Sequence, residues 1–146
     1  MLRGSQSATV DAKGRLKIPA IFFPEVRKLG DDFYVTSDDG SFAYVYPMKV
    51  WQEKEEKLSK VASHNPTVQK YLDLTSYYGQ QQTADAQGRI LVPARLREVA
   101  QLTGEVEVLG KLTSLAVWNS SRFFEQKVRA HPWTEEDAKI LGDLGI

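Results

Sequence analysis

The reading of this chain turns on a stretch that occurs twice: Thr9-Val-Asp-Ala-Lys-Gly-Arg-Leu-Lys-Ile-Pro-Ala20 and Thr83-Ala-Asp-Ala-Gln-Gly-Arg-Ile-Leu-Val-Pro-Ala94. Asp11 and Asp85, Gly14 and Gly88, Arg15 and Arg89, and Pro19 and Pro93 all stand 74 residues apart. Chance seldom produces that agreement, so the chain reads as one structural idea used twice.

In the first copy Gln6–Asp11 reads as a strand, Ala12-Lys13-Gly14 as a turn and Arg15–Ile18 as the returning strand. Short hairpin loops of this kind carry glycine at the left-handed position, followed by a bulge. Pro19 suits the first turn of a helix, where the amide it lacks would have been unpaired. That helix is expected to reach about Leu29, with Gly30 as its stop and Pro24 kinking or breaking it. Phe33–Thr36 and Ser41–Tyr46, around Ser37-Asp-Asp-Gly40, predict a second hairpin. From Pro47 to about Val61 the residues Val50, Trp51, Leu58 and Val61 recur at helical spacing. Asn65 then caps, and Pro66 opens, a second helix that runs to about Tyr77 and is closed by Gly79.

The second copy repeats the order. The turn Ala86-Gln-Gly88, the strand Arg89–Val92 and a helix from Pro93 are followed by Gly104, which lies 74 after Gly30 and reads as the same helix stop. Strands Val106–Leu109 and Ser114–Trp118 follow at an offset of 73, the loss of one residue in a turn. A helix from about Ser121 to Ala130 and a capping box at Thr134-Glu-Glu-Asp137 complete the chain. Four short strands and a helix bury little alone, so the halves are expected to pair into one closed sheet about a pseudo-two-fold axis. The fold class is therefore α+β, with two β-hairpin/helix repeats at 5–50 and 79–122, a helical connector at 51–78 and a C-terminal helical segment at 123–146.

With 146 residues, 42% of them hydrophobic, the chain can bury a core. Lys+Arg and Asp+Glu both number 19, so any polyanionic partner must be met by a local patch. Such a patch exists: residues 1–30 carry a net +4, from Arg3, Lys13, Arg15, Lys17, Arg27 and Lys28 against Asp11 and Glu25, whereas residues 83–100 carry only +1. The absence of cysteine rules out thiolate sites, and His64 and His131 lie too far apart in sequence for local ligand spacing, so no metal or cofactor is expected. Nothing resembles a signal peptide or a membrane span, which points to the cytoplasm. No nucleophile-elbow or phosphate-loop pattern is present, and neither an enzyme nor a small-molecule substrate is expected.

In Asp-Ala-Lys-Gly-Arg the carboxylate can accept turn amides while the arginine leaves on the returning strand. Taken alone that is a structural device, since exposed ion pairs contribute only ~0–1 kcal/mol. The clustering of lysine with it favours binding: arginine presents a planar fork suited to phosphate and to the guanine N7/O6 edge, and lysine a mobile point charge. Paired turns with those groups fit a β-element reading DNA. Trp51 and Trp118, where strand meets helix, are expected to pack rather than stack on bases; the aromatic-rich 47–77 segment is expected either to cap the barrel or to form an oligomer interface.

The chain resembles the MraZ family of bacterial transcriptional regulators, which carry two SpoVT/AbrB-like units. The residues that carry the resemblance are Met1-Leu-Arg-Gly4, Asp11-Ala-Lys-Gly-Arg15, Tyr46-Pro-Met-Lys-Val-Trp51, Asn65-Pro66, Asp85-Ala-Gln-Gly-Arg89 and Leu115-Ala-Val-Trp118. The resemblance implies a swapped-hairpin, double-psi-like β-barrel and homo-oligomeric rings of eight or twelve copies. It also implies binding to short repeated double-stranded DNA sites upstream of the division and cell-wall gene cluster, and hence an association with the nucleoid. By it, Arg15, Lys17 and Arg89 become DNA contacts, positioned by Asp11, Gly14, Asp85 and Gly88; Lys13 and Arg3 from the same basic stretch complete the set. The rival reading is an antitoxin-like interaction module that uses the barrel to dimerise and hold a partner protein.

Overall fold

The computed structural model describes all 146 residues, 1–146. Its first hairpin forms where glycine permits it: β1 (Ser5–Val10) meets β2 (Arg15–Lys17) through a turn in which Gly14 has φ +83°. Pro19 then starts a single 3-10 turn, Ala20–Phe22, followed by α1 (Phe23–Arg27); Pro24, at the start of α1, breaks the helix there as expected. A hairpin of β3 (Asp32–Thr36) and β4 (Ala43–Pro47) leads to α2 (Met48–Ser59) and α3 (Pro66–Tyr77). The Asn65 side chain accepts hydrogen bonds from the amides of Thr67 and Val68, the cap read from the sequence.

The second half runs through β5 (Gln80–Thr83), β6 (Arg89–Leu91), α4 (Ala94–Val99), β7 (Gly104–Gly110) and β8 (Leu115–Asn119). It continues into α5 (Ser120–Phe123), a π-helical segment over Phe124–Arg129, and α6 (Glu135–Asp143). The capping box is formed: the Asp137 amide donates to Thr134 Oγ1 at 3.1 Å, and the Thr134 amide to Asp137 Oδ2 at 3.0 Å. No helix is long and apolar enough to cross a membrane.

The eight strands form one nearly closed antiparallel barrel in the order β5-β3-β4-β8-β7-β1-β2-β6. Each half lends strands to the other: β1 pairs with β7, β3 with β5, β2 with β6 and β4 with β8. This is the swapped arrangement that short half-sheets require, because neither half alone closes a hydrophobic interior. Two reciprocal bonds mark the pseudo-two-fold axis: the Ile18 amide donates to the Gly88 carbonyl at 3.0 Å, and the Val92 amide to the Gly14 carbonyl at 2.9 Å. Inside lie residues of both halves, among them Leu16, Phe33, Val45, Ile90, Leu96, Val108 and Val117, each 2% exposed or less.

The strand registers correct two sequence readings. Ala8 pairs with Val106, and Gln82, its counterpart 74 residues on, pairs with Phe33; Phe33 and Val106 therefore correspond at 73. In the β4/β8 ladder Tyr44 faces Ala116, with Ala43↔Val117 and Val45↔Leu115 on either side, so β4 and β8 correspond at 72 rather than 73. One residue is lost before β7 and another in the loop before β8. Gly104 is thus not the helix stop; it opens β7, five residues after α4 ends, and the left-handed position after α4 is taken by Gln101 at φ +54°.

Outside the barrel, alternation along β3, β4 and β8 turns Tyr34, Tyr44, Tyr46 and Trp118 away from the core. Trp51 of α2 stacks on Tyr34 at 4.6 Å and meets Tyr46 at 5.1 Å, and Trp118 stacks on Phe42 at 4.6 Å. Trp51 and Trp118 are buried, as their position between strand and helix led us to expect, but in this outer layer and not in the barrel interior. Burial there, with Tyr71 close by, pushes the Tyr46 phenol up from its ordinary value.

Candidate nucleic-acid interface

Both turns are built on one carboxylate. Asp11 Oδ1 accepts the amides of Lys13 and Arg15, each at 2.9 Å, and Oδ2 accepts Arg15 Nε at 2.8 Å. In the other half Asp85 Oδ1 accepts Gln87 and Arg89 amides at 2.9 Å each, and Oδ2 accepts Arg89 Nε at 2.8 Å. The backbone amide of Arg15, with its guanidinium and the Lys13 amide, holds the Asp11 carboxyl below its ordinary value; Arg89 and Gln87 do the same for Asp85. The pairing uses only Nε of each guanidinium, so the Nη1 and Nη2 donors of both forks carry no protein partner. The Arg15 and Arg89 side chains are 35% and 29% exposed, reachable from solvent and not sealed against their aspartates.

The β2/β6 ladder brings these groups together. Leu16 and Ile90 face each other and point inward, 1% and 2% exposed. Their neighbours alternate to the outer face, where Arg15 lies opposite Leu91 and Lys17 opposite Arg89. Arg15 and Arg89 sit diagonally across the axis, a relation that places side chains roughly 7–8 Å apart in antiparallel sheets. The outer face of this ribbon therefore holds Arg15, Lys17, Arg89 and Leu91, with Lys13 exposed at the tip of the first turn. Arg3 is not among them: it precedes β1, and six strand residues at about 3.3 Å each put roughly 20 Å between it and the turn.

Two further arginines complete the surroundings, and sequence spacing did not reveal them. Arg97 of α4 lays its guanidinium against Gly14 and donates from Nη1 to the Lys13 carbonyl at 3.3 Å. Its counterpart 74 residues earlier, Phe23, packs in the same way against Gly88. A side chain on either glycine would overlap these groups, so each turn is closed by the first helix of the other half. Arg95 is occupied elsewhere, donating to the Tyr77 carbonyl at 3.0 Å with its guanidinium 3.9 Å over the Tyr77 ring. Of the second block's three arginines only Arg89 faces outward from the ribbon.

An outward fork with free donors beside lysine has the donor set that phosphate oxygens and guanine edges accept from. Residues 79–143 match the family described as "MraZ protein, putative antitoxin-like". Over its whole length, and the whole of each relative, the chain is 43% identical to the transcriptional regulator MraZ of Acidobacterium capsulatum and 45% identical to that of Koribacter versatilis. It is 38% identical to that of Moorella thermoacetica, again over the whole of both chains. With the barrel, the twin Asp-x-x-x-Arg turns and full-length relatives at this level of identity, the chain belongs to the MraZ family.

Proposed function

We propose that this chain is a sequence-specific DNA-binding regulator of transcription that works as a homo-oligomeric ring. The observation that carries the reading is the outer face of the β2/β6 ribbon: three outward cations, two of them forks with free Nη donors, in a chain of no net charge. The regulators named among its relatives support it. In this reading Arg15 and Arg89 read base edges or hold phosphates, Lys17 and Lys13 neutralise the backbone, and Asp11, Gly14, Asp85 and Gly88 hold the turns. Arg3, off the ribbon, meets at most flanking phosphate. Residues 5–50 and 79–122 supply the ribbon, and the helical segments 51–78 and 123–146 flank the barrel, where they can contribute to contacts between copies.

One ribbon is a small footprint, and affinity then rests on repetition. Several ribbons presented by a ring engage closely spaced direct repeats, such as those expected upstream of the division and cell-wall gene cluster, at high effective concentration. Affinity for tandem against single sites tests this: a gain of roughly 10²-fold or more is expected from linked binding, and equal affinities remove the mechanism. The antitoxin-like reading has one observation in its favour, the exposed apolar residues of α6. A lysate pull-down with and without nuclease separates the two, since a protein partner survives DNA removal and a DNA-bridged one does not.

A further inference from the structure

The outer aromatic layer is complete in the first half and open in the second. At the offset of 72 that the β4/β8 ladder sets, Trp118 corresponds to Tyr46 and Phe123 to Trp51. In the first half α3 lies over this pair: Tyr71 comes to 6.4 Å from Trp51, and Lys54 Nζ stands 5.5 Å over both Tyr46 and Tyr71. In the second half Lys127 Nζ likewise stands 5.5 Å over Trp118, but no helix covers the pair. A groove of about 420 Å³ remains, floored by Phe42, Tyr44, Trp118 and Phe123 and edged by Lys111 and Lys127, neither of which has an acidic partner.

The chain also carries a helix with no surface to lie on. α6 buries none of its residues. At 100° per residue Ile140, Leu144 and Leu141 fall within one arc of about 100°, interrupted in the first turn by Asp137 of the capping box, with Glu136 and Asp143 along its edge. Ile140 is 51% exposed, Leu144 68% and the preceding Trp133 67%. The segment from His131 to the end carries four acids against Lys139, opposite in sign to the groove's lysines.

We infer that α6 of one copy docks in the groove between β8 and the π-helical segment of the next, taking the place that α3 takes in the first half. The groove and the helix are different surfaces of one chain, so the contact is head-to-tail, the kind that closes into rings. The linker favours the neighbour over the chain's own groove: five residues, 60–64, precede the Asn65 cap of α3, whereas four, 130–133, one of them the stiff Pro132, precede the Thr134 cap of α6.

This inference rests on the ring reading, and native mass in solution tests both separately. The wild-type chain is expected at a multiple of 16.5 kDa. K111E/K127E, at exposed lysines and checked for unchanged thermal unfolding, is expected to fall to the monomer at concentrations where wild type is assembled. Adding E136K/D143K to the same chain restores opposite charge and is expected to recover the assembled mass. An assembled K111E/K127E, or a combined variant that stays monomeric, overturns the docking and leaves the ring standing. A monomeric wild-type chain overturns both.

Discussion

The two Asp-Gly-Arg turns share every hydrogen bond that their aspartates accept, with matching lengths of 2.9, 2.9 and 2.8 Å, yet they present different surfaces. Around the first stand Lys13, Lys17 and the Arg97 guanidinium; around the second, in the same places, stand Gln87, Leu91 and the Phe23 ring. The skeleton and the field are thus set by separate residues. Asp, Gly and Arg build the bend, while the positions between and across from them decide how much positive charge it carries. Because each turn is closed by the other half's helix, the charge of the first turn depends partly on a residue 84 positions away.

The largest break in this comparison is expected from the glycines. Alanine in the left-handed region costs about 1–2 kcal/mol, and overpacking a filled site adds about 1–3 kcal/mol. Gly88→Ala drives its methyl into the Phe23 ring and is expected to lose about 2–5 kcal/mol in denaturant unfolding, both terms applying. Gly14→Ala meets the flexible end of Arg97, which can swing aside, and is expected to lose only about 1–2 kcal/mol. Equal losses would mean that Phe23 and Arg97 yield alike.

Next come the forks. Arg15→Ala is expected to weaken binding to a DNA site by ~1–3 kcal/mol if it reads a guanine, or to reduce the salt slope by ~1 if it holds a phosphate. Arg89→Ala is expected to act in the same way, since its pairing is the same. A folded Arg15→Ala protein with unchanged affinity and salt slope would falsify the assignment.

The charge difference can be exchanged. Leu91→Lys, opposite Arg15 on the ribbon, is expected to steepen the salt slope by ~1, and Lys17→Leu to flatten it by a similar amount. No change in titrations across salt would place the DNA away from this face.

The smallest effect is expected in acid. Because folding depresses the Asp11 and Asp85 carboxyls below their ordinary 3.8, their stabilising contribution is whole above that value and fades as pH falls below it. Asp11→Asn or Asp85→Asn should therefore flatten the acid side of a stability-against-pH curve, by similar amounts for the two turns. A steeper acid limb would reverse the sign argued here.

Much of this was legible in the residues. Gly14, Pro19, Pro24, Asn65 and Thr134 act through their own backbone or side chain on near neighbours, so their turns, breaks and caps could be read one at a time. The 74-residue repeat held for the turns and failed beyond them, because Gly30 and Gly104 match in type but not in place, and the ladders set the true offsets of 73 and 72. Arg97 against Gly14, Phe23 against Gly88 and Arg95 on Tyr77 left no mark in any local window. The first two join residues that only the exchange of strands between halves brings together, and the third joins the ends of two helices 18 residues apart.

The division has a physical reason. By itself the sequence determined the bends, the helix ends, the alternation that turns Leu16 and Ile90 inward and Arg15, Lys17 and Arg89 outward, and the repetition that made a shared sheet the economical solution. The tertiary structure alone decided which strands pair and in what register, that both forks share one face, that Trp51 and Trp118 lie outside the barrel, and that the second half leaves its outer groove open. Dihedral preferences and side-chain alternation act over a few residues, whereas register is set by packing the whole interior at once.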